Sequence, residues 1–280
     1  MKESWYKNSE FLVLIFIIII FFLIYIRRFF KNPHKTQYIS IGNEQTIGKR
    51  KEQEDSFSTV ITENGIMAVL ADGMGGYSKG KMASNIAVNT FIREFSKLDS
   101  INNIKNFFIN VANMTNREII ENSKGIRTGT TMAAVIICDS YLHWVSVGDS
   151  AIVLFRNGEF INLNKKHIFE ATLKEQYASG KISWEEVMNN PRKKRLTSYI
   201  GHHDFKDIEL SKEAVELRTG DKIILCSDGV YNSISEFEME KIFIKNTKPY
   251  KAAEEIINII NKKNHPKQDN ATIIILQKNS

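Results

Sequence analysis

Six short apolar runs punctuate the chain after residue 60, and they restrict the fold more than any other feature. They are Ile66–Ala71, Thr130–Cys138, Tyr141–Val147, Ala151–Phe155, Ile223–Cys226 and Ala271–Leu276. Each is four to nine residues long, short for a helix and apolar enough for a strand buried on both faces. Helical patterns lie between them. Lys81–Leu98 places Met82, Ile86, Phe91 and Phe95 at helix-like spacing, and Asn103–Asn122 and Lys251–Lys263 do likewise. Asp139-Ser140 joins two apolar runs directly and reads as a hairpin turn. Direct hairpins imply antiparallel pairing with helices on the sheet faces, so the expected class is α+β in one domain.

The chain has 280 residues, 42% apolar and 25% charged, which allows a real core and argues against wholesale disorder. No internal repeat at a fixed period points to a solenoid. The net charge of +6 is uneven. Residues 1–35 hold six basic and two acidic residues, +4, which leaves 32 basic against 30 acidic, +2, for the rest. A nucleic-acid-binding domain would carry its positive excess in the folded part, so no nucleic-acid partner is expected. Cys138 and Cys226 both sit in apolar runs and read as small buried hydrophobes rather than a disulfide framework.

Phe11–Ile26 is sixteen residues without a charge, a run of about 24 Å as a helix, against a bilayer core of about 30 Å. A signal peptide would want a small-residue cleavage site, where IRRFFKNP offers bulky and basic residues. A core helix would want a polar stripe. The expectation is a transmembrane helix over 11–28, after a flank of 1–10 and before a tether of 29–38. Arg27, Arg28, Lys31 and Lys35 outnumber Lys2 and Lys7, which predicts a single-pass membrane protein with its long C-terminal part in the cytoplasm.

Three apolar runs end in an aspartate followed by a small residue: Asp72, Asp149 and Asp228. A fourth, Asp269, sits just before the last run, and Glu54-Asp55 closes RKEQED ahead of Ile66–Ala71. One aspartate at a strand end is usually a turn former. Several converging on one rim would repel, and a bound cation supplies the missing positive charge. His143 stands alone in a strand, and His202-His203 has no second histidine at helical spacing. An oxygen-only ligand set favours Mg²⁺ or Mn²⁺ over Zn²⁺. Five or six carboxylates exceed what one such ion needs, so two or more metals acting on a phosphate ester are the natural inference.

In chain order the motifs are R-x-x-x-E-D at 50–55, A-D-G-M-G-G at 71–76, T-G-T-T at 128–131, V-G-D-S at 147–150, S-D-G-V at 227–230 and D-N-A-T at 269–272. The series, from about Gly48 to Leu276, resembles the metal-dependent protein serine/threonine phosphatases of type 2C, in particular their bacterial members. The resemblance implies an antiparallel β-sandwich flanked by helices in four α-β-β-α layers, spanning 39–280 with a flap at about 165–201. It implies two or three Mn²⁺ or Mg²⁺ ions and a single-step attack of water on phosphoserine or phosphothreonine. The substrates would be phosphorylated cytoplasmic proteins, targets of a serine/threonine kinase.

Residue by residue, the resemblance gives Asp72 as the bridge between two metals and Glu54 with the Gly73 backbone carbonyl for the second. Asp228 and Asp269 serve the first metal, and Asp149 with Asp228 a third. Asp55 orients a metal-bound water, Arg50 grips the substrate phosphate and Thr131 lies near the metal centre. The sequence departs from the family at Met74, where some members have a proton-donating histidine, at Gln53 in place of asparagine, and at Leu163–His167, a loose version of L-T-x-D-H. Residues between His167 and Gly201 resemble the bacterial flap. Its Arg192-Lys193-Lys194-Arg195 run has two readings, steering of an acidic substrate or a solvated face. A catalytically inactive, membrane-tethered phosphopeptide-binding relative is the competing reading, against which stands the presence of all six acids. A regulator dedicated to one partner is a narrower version of the enzyme.

Overall fold

Strand β3 (Gly65–Met74) shows why the runs are continuously apolar. Met67, Val69 and Ala71 point to one side, against helices, while Ile66, Ala68 and Leu70 point to the other, against a second sheet. The structure, a computed structural model, describes residues 15–23, 38–75, 79–98, 100, 103–245 and 247–279. The chain divides into two compact units, Met1–Tyr38 and Ile39–Ser280.

The larger unit contains β1 (Ile39–Thr46), β2 (Asp55–Thr62), β3, β4 (Gly129–Thr130), β5 (Met132–Cys138), β6 (Tyr141–Val147), β7 (Ala151–Arg156), β8 (Glu159–Asn162), β9 (Glu209–Leu210), β10 (Val215–Glu216), β11 (Lys222–Cys226) and β12 (Ala271–Lys278). One sheet has the order β1-β12-β11-β7-β8, the other β10-β6-β5-β3-β2, with β4 beside β3 and β9 beside β6. Every pairing is antiparallel.

Helices α1 (Lys79–Ser96) and α2 (Ile104–Ser123) cover the second sheet, burying Phe91, Phe95, Phe108 and Ile119 against β3 and β5. Fully burying such a side chain stabilises by about 1.5–3 kcal/mol. Helices α6 (Glu236–Ile244) and α7 (Pro249–Lys263) cover the first, burying Phe243, Ile256 and Ile260 against Ile224, Ile273 and Ile275. Between the sheets lie Leu70, Val135, Leu154, Leu225 and Ile274. Three separate cores thus sit between four layers, and the α+β class with antiparallel sheets and helices is as expected. Short helices α3 (Phe169–Ala178), α4 (Trp184–Asn189) and α5 (Asp228–Tyr231) complete the unit.

The hairpin turn at Asp139-Ser140 has both residues at positive φ, 47° and 73°, the form whose twist matches the flanking strands. The run Thr130–Cys138 is divided, because Thr131 separates β4 from β5.

The expected single-pass membrane placement is overturned. Among the described residues no helix is long and apolar enough to cross a membrane. Of the expected span only 15–23 are described, and they are helical. The remainder of 11–28, the flank 1–10 and the tether up to residue 37 lie outside the described residues.

Candidate active site

The acidic residues gather where β2 begins and β3 ends. In the register of these strands Asp55 lies directly opposite Asp72. Glu54 precedes Asp55, and its carbonyl accepts from the Gly73 N–H at 3.2 Å. Asp149 occupies the turn between β6 and β7, Asp228 opens α5 just after β11, and Asp269 precedes β12. The second sheet therefore contributes Asp55 and Asp72, and the first contributes Asp228 and Asp269.

Asp55 ties the two sheets together. Its Oδ2 accepts from the Ser227 hydroxyl and the Thr272 hydroxyl, each at 2.8 Å. Its Oδ1 is buried with no hydrogen-bond partner. Burial, opposed by those two hydroxyls, pushes its pKa up to about 6. Burial and then the charges of Asp149, Asp269 and Asp55 push Asp228 up to about 7. Asp72 is raised well above the ordinary carboxylate value, by burial first and then by Asp55, Asp228, Asp149 and Asp269. Burial also raises Glu54 and Asp149. Carboxylates that raise one another in this way are close enough to compete for positive charge.

Among the described residues, however, no three His, Cys, Asp or Glu side chains converge closely enough to hold an ion. Several of the acids are taken by protein partners. Asp269 pairs with Arg50, Asp149 accepts from the Tyr231 hydroxyl at 3.2 Å, and Asp228 accepts from Asn232 at 3.2 Å. The shared electrostatics and the buried, unsatisfied Asp55 oxygen fit divalent cations.

Thr131 acts on Asp72 through both backbone and side chain. Its N–H donates to the Asp72 carbonyl at 2.8 Å, and its hydroxyl accepts from the Asp72 N–H at 3.0 Å while bonding Ser150 at 2.7 Å. Gly73 and Gly80 are glycine for lack of room. A Cβ on Gly80 would lie 2.4 Å from Glu54 Oε1, and one on Gly73 would lie 2.2 Å from the Gly80 carbonyl.

Several positioning residues lie inside the motifs and the loosely matching segment, where the sequence pattern assigned them no role. Asn270 accepts from the Glu54 N–H at 2.9 Å and donates to the carbonyls of Ile47 and Glu52 at 2.9 and 3.0 Å, pinning the loop that carries Arg50 and Glu54. Asn164 and His167, in the loosely matching segment, hold the Asp149 turn. Asn164 bridges the Ile152 N–H and the Ser150 carbonyl, and the His167 N–H donates to the Gly148 carbonyl at 2.8 Å. Lys166 Nζ stacks 3.1 Å from the Tyr231 ring centroid, behind Asp149. The only signal was adjacency: Ser150, Ser227 and Asn270 each neighbour a named aspartate. Cys226 is buried, and burial pushes its thiol up to about 12, so it is no nucleophile. His143, His202 and His203 take no place among these acids.

A family model described as protein phosphatase 2C matches residues 44–263. The chain belongs to the protein phosphatase 2C family. It is 30% identical over 220 residues to the serine/threonine phosphatase stp of Listeria innocua, with 76% of this chain and 84% of that protein covered. A solved serine/threonine phosphatase of S. agalactiae superposes with a TM-score of 0.76 at 26% identity, covering 86% of this chain and 100% of the other. The catalytic domain of the serine threonine protein phosphatase PstP, solved with 2 manganese ions, has the same fold, with a TM-score of 0.70 at 22% identity over 87% of this chain and 99% of that one. As a member of the 2C family the chain is a phosphoprotein phosphatase, and the inactive reading is not favoured.

Proposed function

We propose that Glu54, Asp72, Asp149, Asp228, Asp269 and the Gly73 carbonyl hold two or three divalent ions, Mn²⁺ or Mg²⁺, in a catalytic domain of residues 39–280 with a flap at about 165–201. With them the chain hydrolyses phosphoserine and phosphothreonine on proteins in one step. The observation that carries this reading is the pair Asp55 and Asp72, opposed in register and both raised toward protonation. Oxygen donors without histidine or cysteine suit hard cations, and the manganese-bound relative of the same fold supports this choice. When bound, the ions let these acids stay ionised together and activate water for in-line attack on phosphorus.

The chain's own residues do the rest. Asp55, fixed through Oδ2 by Ser227 and Thr272, offers Oδ1 to orient the attacking water. Thr131 fixes Asp72. The Arg50 guanidinium, half-exposed at the rim beside Asp269, takes the phosphoryl oxygens in a planar fork. Met74 has no proton to give, so the leaving alkoxide takes its proton from another group. The substrates are phosphorylated proteins made by a serine/threonine kinase.

The purified full chain should hydrolyse an aryl phosphate only with added Mn²⁺ or Mg²⁺. Asp72→Asn should lower the rate at least about 100-fold, about 2.7 kcal/mol of barrier. Hydrolysis that survives a chelator would refute the metal reading.

A further inference from the structure

Beside the acidic rim lies a pocket of about 280 Å³ that the chemistry above does not use, lined by Met74, Gly75, Arg127, Thr128, Arg195, Leu196 and Tyr199. It is smaller than the pockets of about 300–1,000 Å³ that enclose whole small ligands, so it suits one side chain. Two of its seven lining residues are arginines and none is acidic. Neither guanidinium forms an ion pair with a described carboxylate. Of the basic run Arg192–Arg195, only Arg195 reaches this pocket.

Both walls are fixed. On one side the Thr128 hydroxyl donates to the Met74 carbonyl at 3.0 Å, and Gly75, at φ 134°, has no space for a side chain beside Thr128. On the other, the Arg195 N–H donates to the Arg192 carbonyl at 2.8 Å and the Arg195 carbonyl accepts from Phe169 at 2.9 Å. Ile200 and Thr130 exchange two backbone bonds of 2.9 Å, which joins the walls. Met74 lies two residues beyond Asp72 on β3, about 7 Å at about 3.3 Å per residue. That is also the spacing of same-side residues in an extended peptide.

We propose that this pocket is a subsite for a second anionic group, a phosphate or a carboxylate, carried by the substrate about two residues from the phosphate being removed. The proposal rests on the phosphatase reading of the neighbouring rim. Two arginines lining one pocket bring side chains whose planar forks match a phosphate or carboxylate bidentately. Because both side chains are solvent-accessible, the gain should be modest, roughly tenfold in kcat/KM and expressed in KM.

The test compares phosphothreonine peptides with alanine, glutamate or phosphoserine two positions away, on the full chain with Mn²⁺. The expected order is phosphoserine, then glutamate, then alanine, with the preference lost in Arg127→Gln/Arg195→Gln. An aryl phosphate, too short to reach the pocket, should be hydrolysed equally by both proteins. Equal kcat/KM for the three peptides, or a preference that survives in the double variant, would overturn the subsite. Should neither protein hydrolyse the aryl phosphate, the phosphatase reading fails instead. Anisotropy of the labelled peptides in chelator then judges the subsite by itself: weaker binding to the double variant supports it, and equal binding refutes it.

Discussion

Asn270→Ala tests whether the loop bearing Arg50 and Glu54 is held by a single side chain. The substitution removes one acceptor and two donors, and with them the bonds to the Glu54 N–H and to the carbonyls of Ile47 and Glu52. Asn270 is buried, so water replaces those bonds poorly. At about 1 kcal/mol net per bond the loss is about 3 kcal/mol. For a domain of this size that is a fall of about 6–12 °C in Tm. In urea, with m near 3 kcal/mol/M, the midpoint should drop by about 1 M with m unchanged. Because Glu54 follows the loop, the Mn²⁺ concentration for half-maximal hydrolysis should rise severalfold. A stability loss under about 0.5 kcal/mol with unaltered Mn²⁺ dependence would show that the loop is held otherwise.

The pH dependence of stability follows from Asp55 and Asp228, raised from the ordinary 3.8 to about 6 and about 7. An acid that holds its proton more tightly when folded gives stability that is fully present below its unfolded pKa and lost as pH climbs through the folded one. In chelator, Tm should therefore fall between about pH 4 and pH 7, and Mn²⁺ should recover most of the loss at pH 8; a flat profile by calorimetry would contradict the crowding. Gly80→Ala should be harmful although alanine is the better helix former by about 1 kcal/mol, since its Cβ would press on Glu54 Oε1. Circular dichroism and Mn²⁺ titration should show a less stable protein that binds the ion more weakly.

The sequence pattern was legible where strands are buried on both faces. Ile66–Ala71 and Ala271–Leu276 stand between two cores, so every residue but Thr272 is apolar and the strand announces itself. The edge strands β1 (ISIGNEQT) and β2 (DSFSTVIT) are half-exposed and mixed in polarity, and no apolar run marks them. The break at Thr131 arises because its backbone and hydroxyl both turn to Asp72, a long-range choice that hydrophobicity does not encode. Motif order brought out the acids themselves. The residues that hold them, Asn270, Ser227 and Thr272, stand in the same motifs, but their partners lie about 170 to 220 positions away, so no local pattern shows what they hold. The apolar N-terminal run illustrates the opposite error: composition suggested a membrane span, and among the described residues no helix is long and apolar enough to make one.

The bonds from Ser227 and Thr272 to Asp55 have a mechanical meaning. They act as rivets through two stacked plates: if one plate slides over the other by an ångström, the same carboxyl is wrenched from its place. Shear of the sandwich and dismantling of the reactive centre are then one event, and the barrier that protects the fold against such sliding also protects the chemistry.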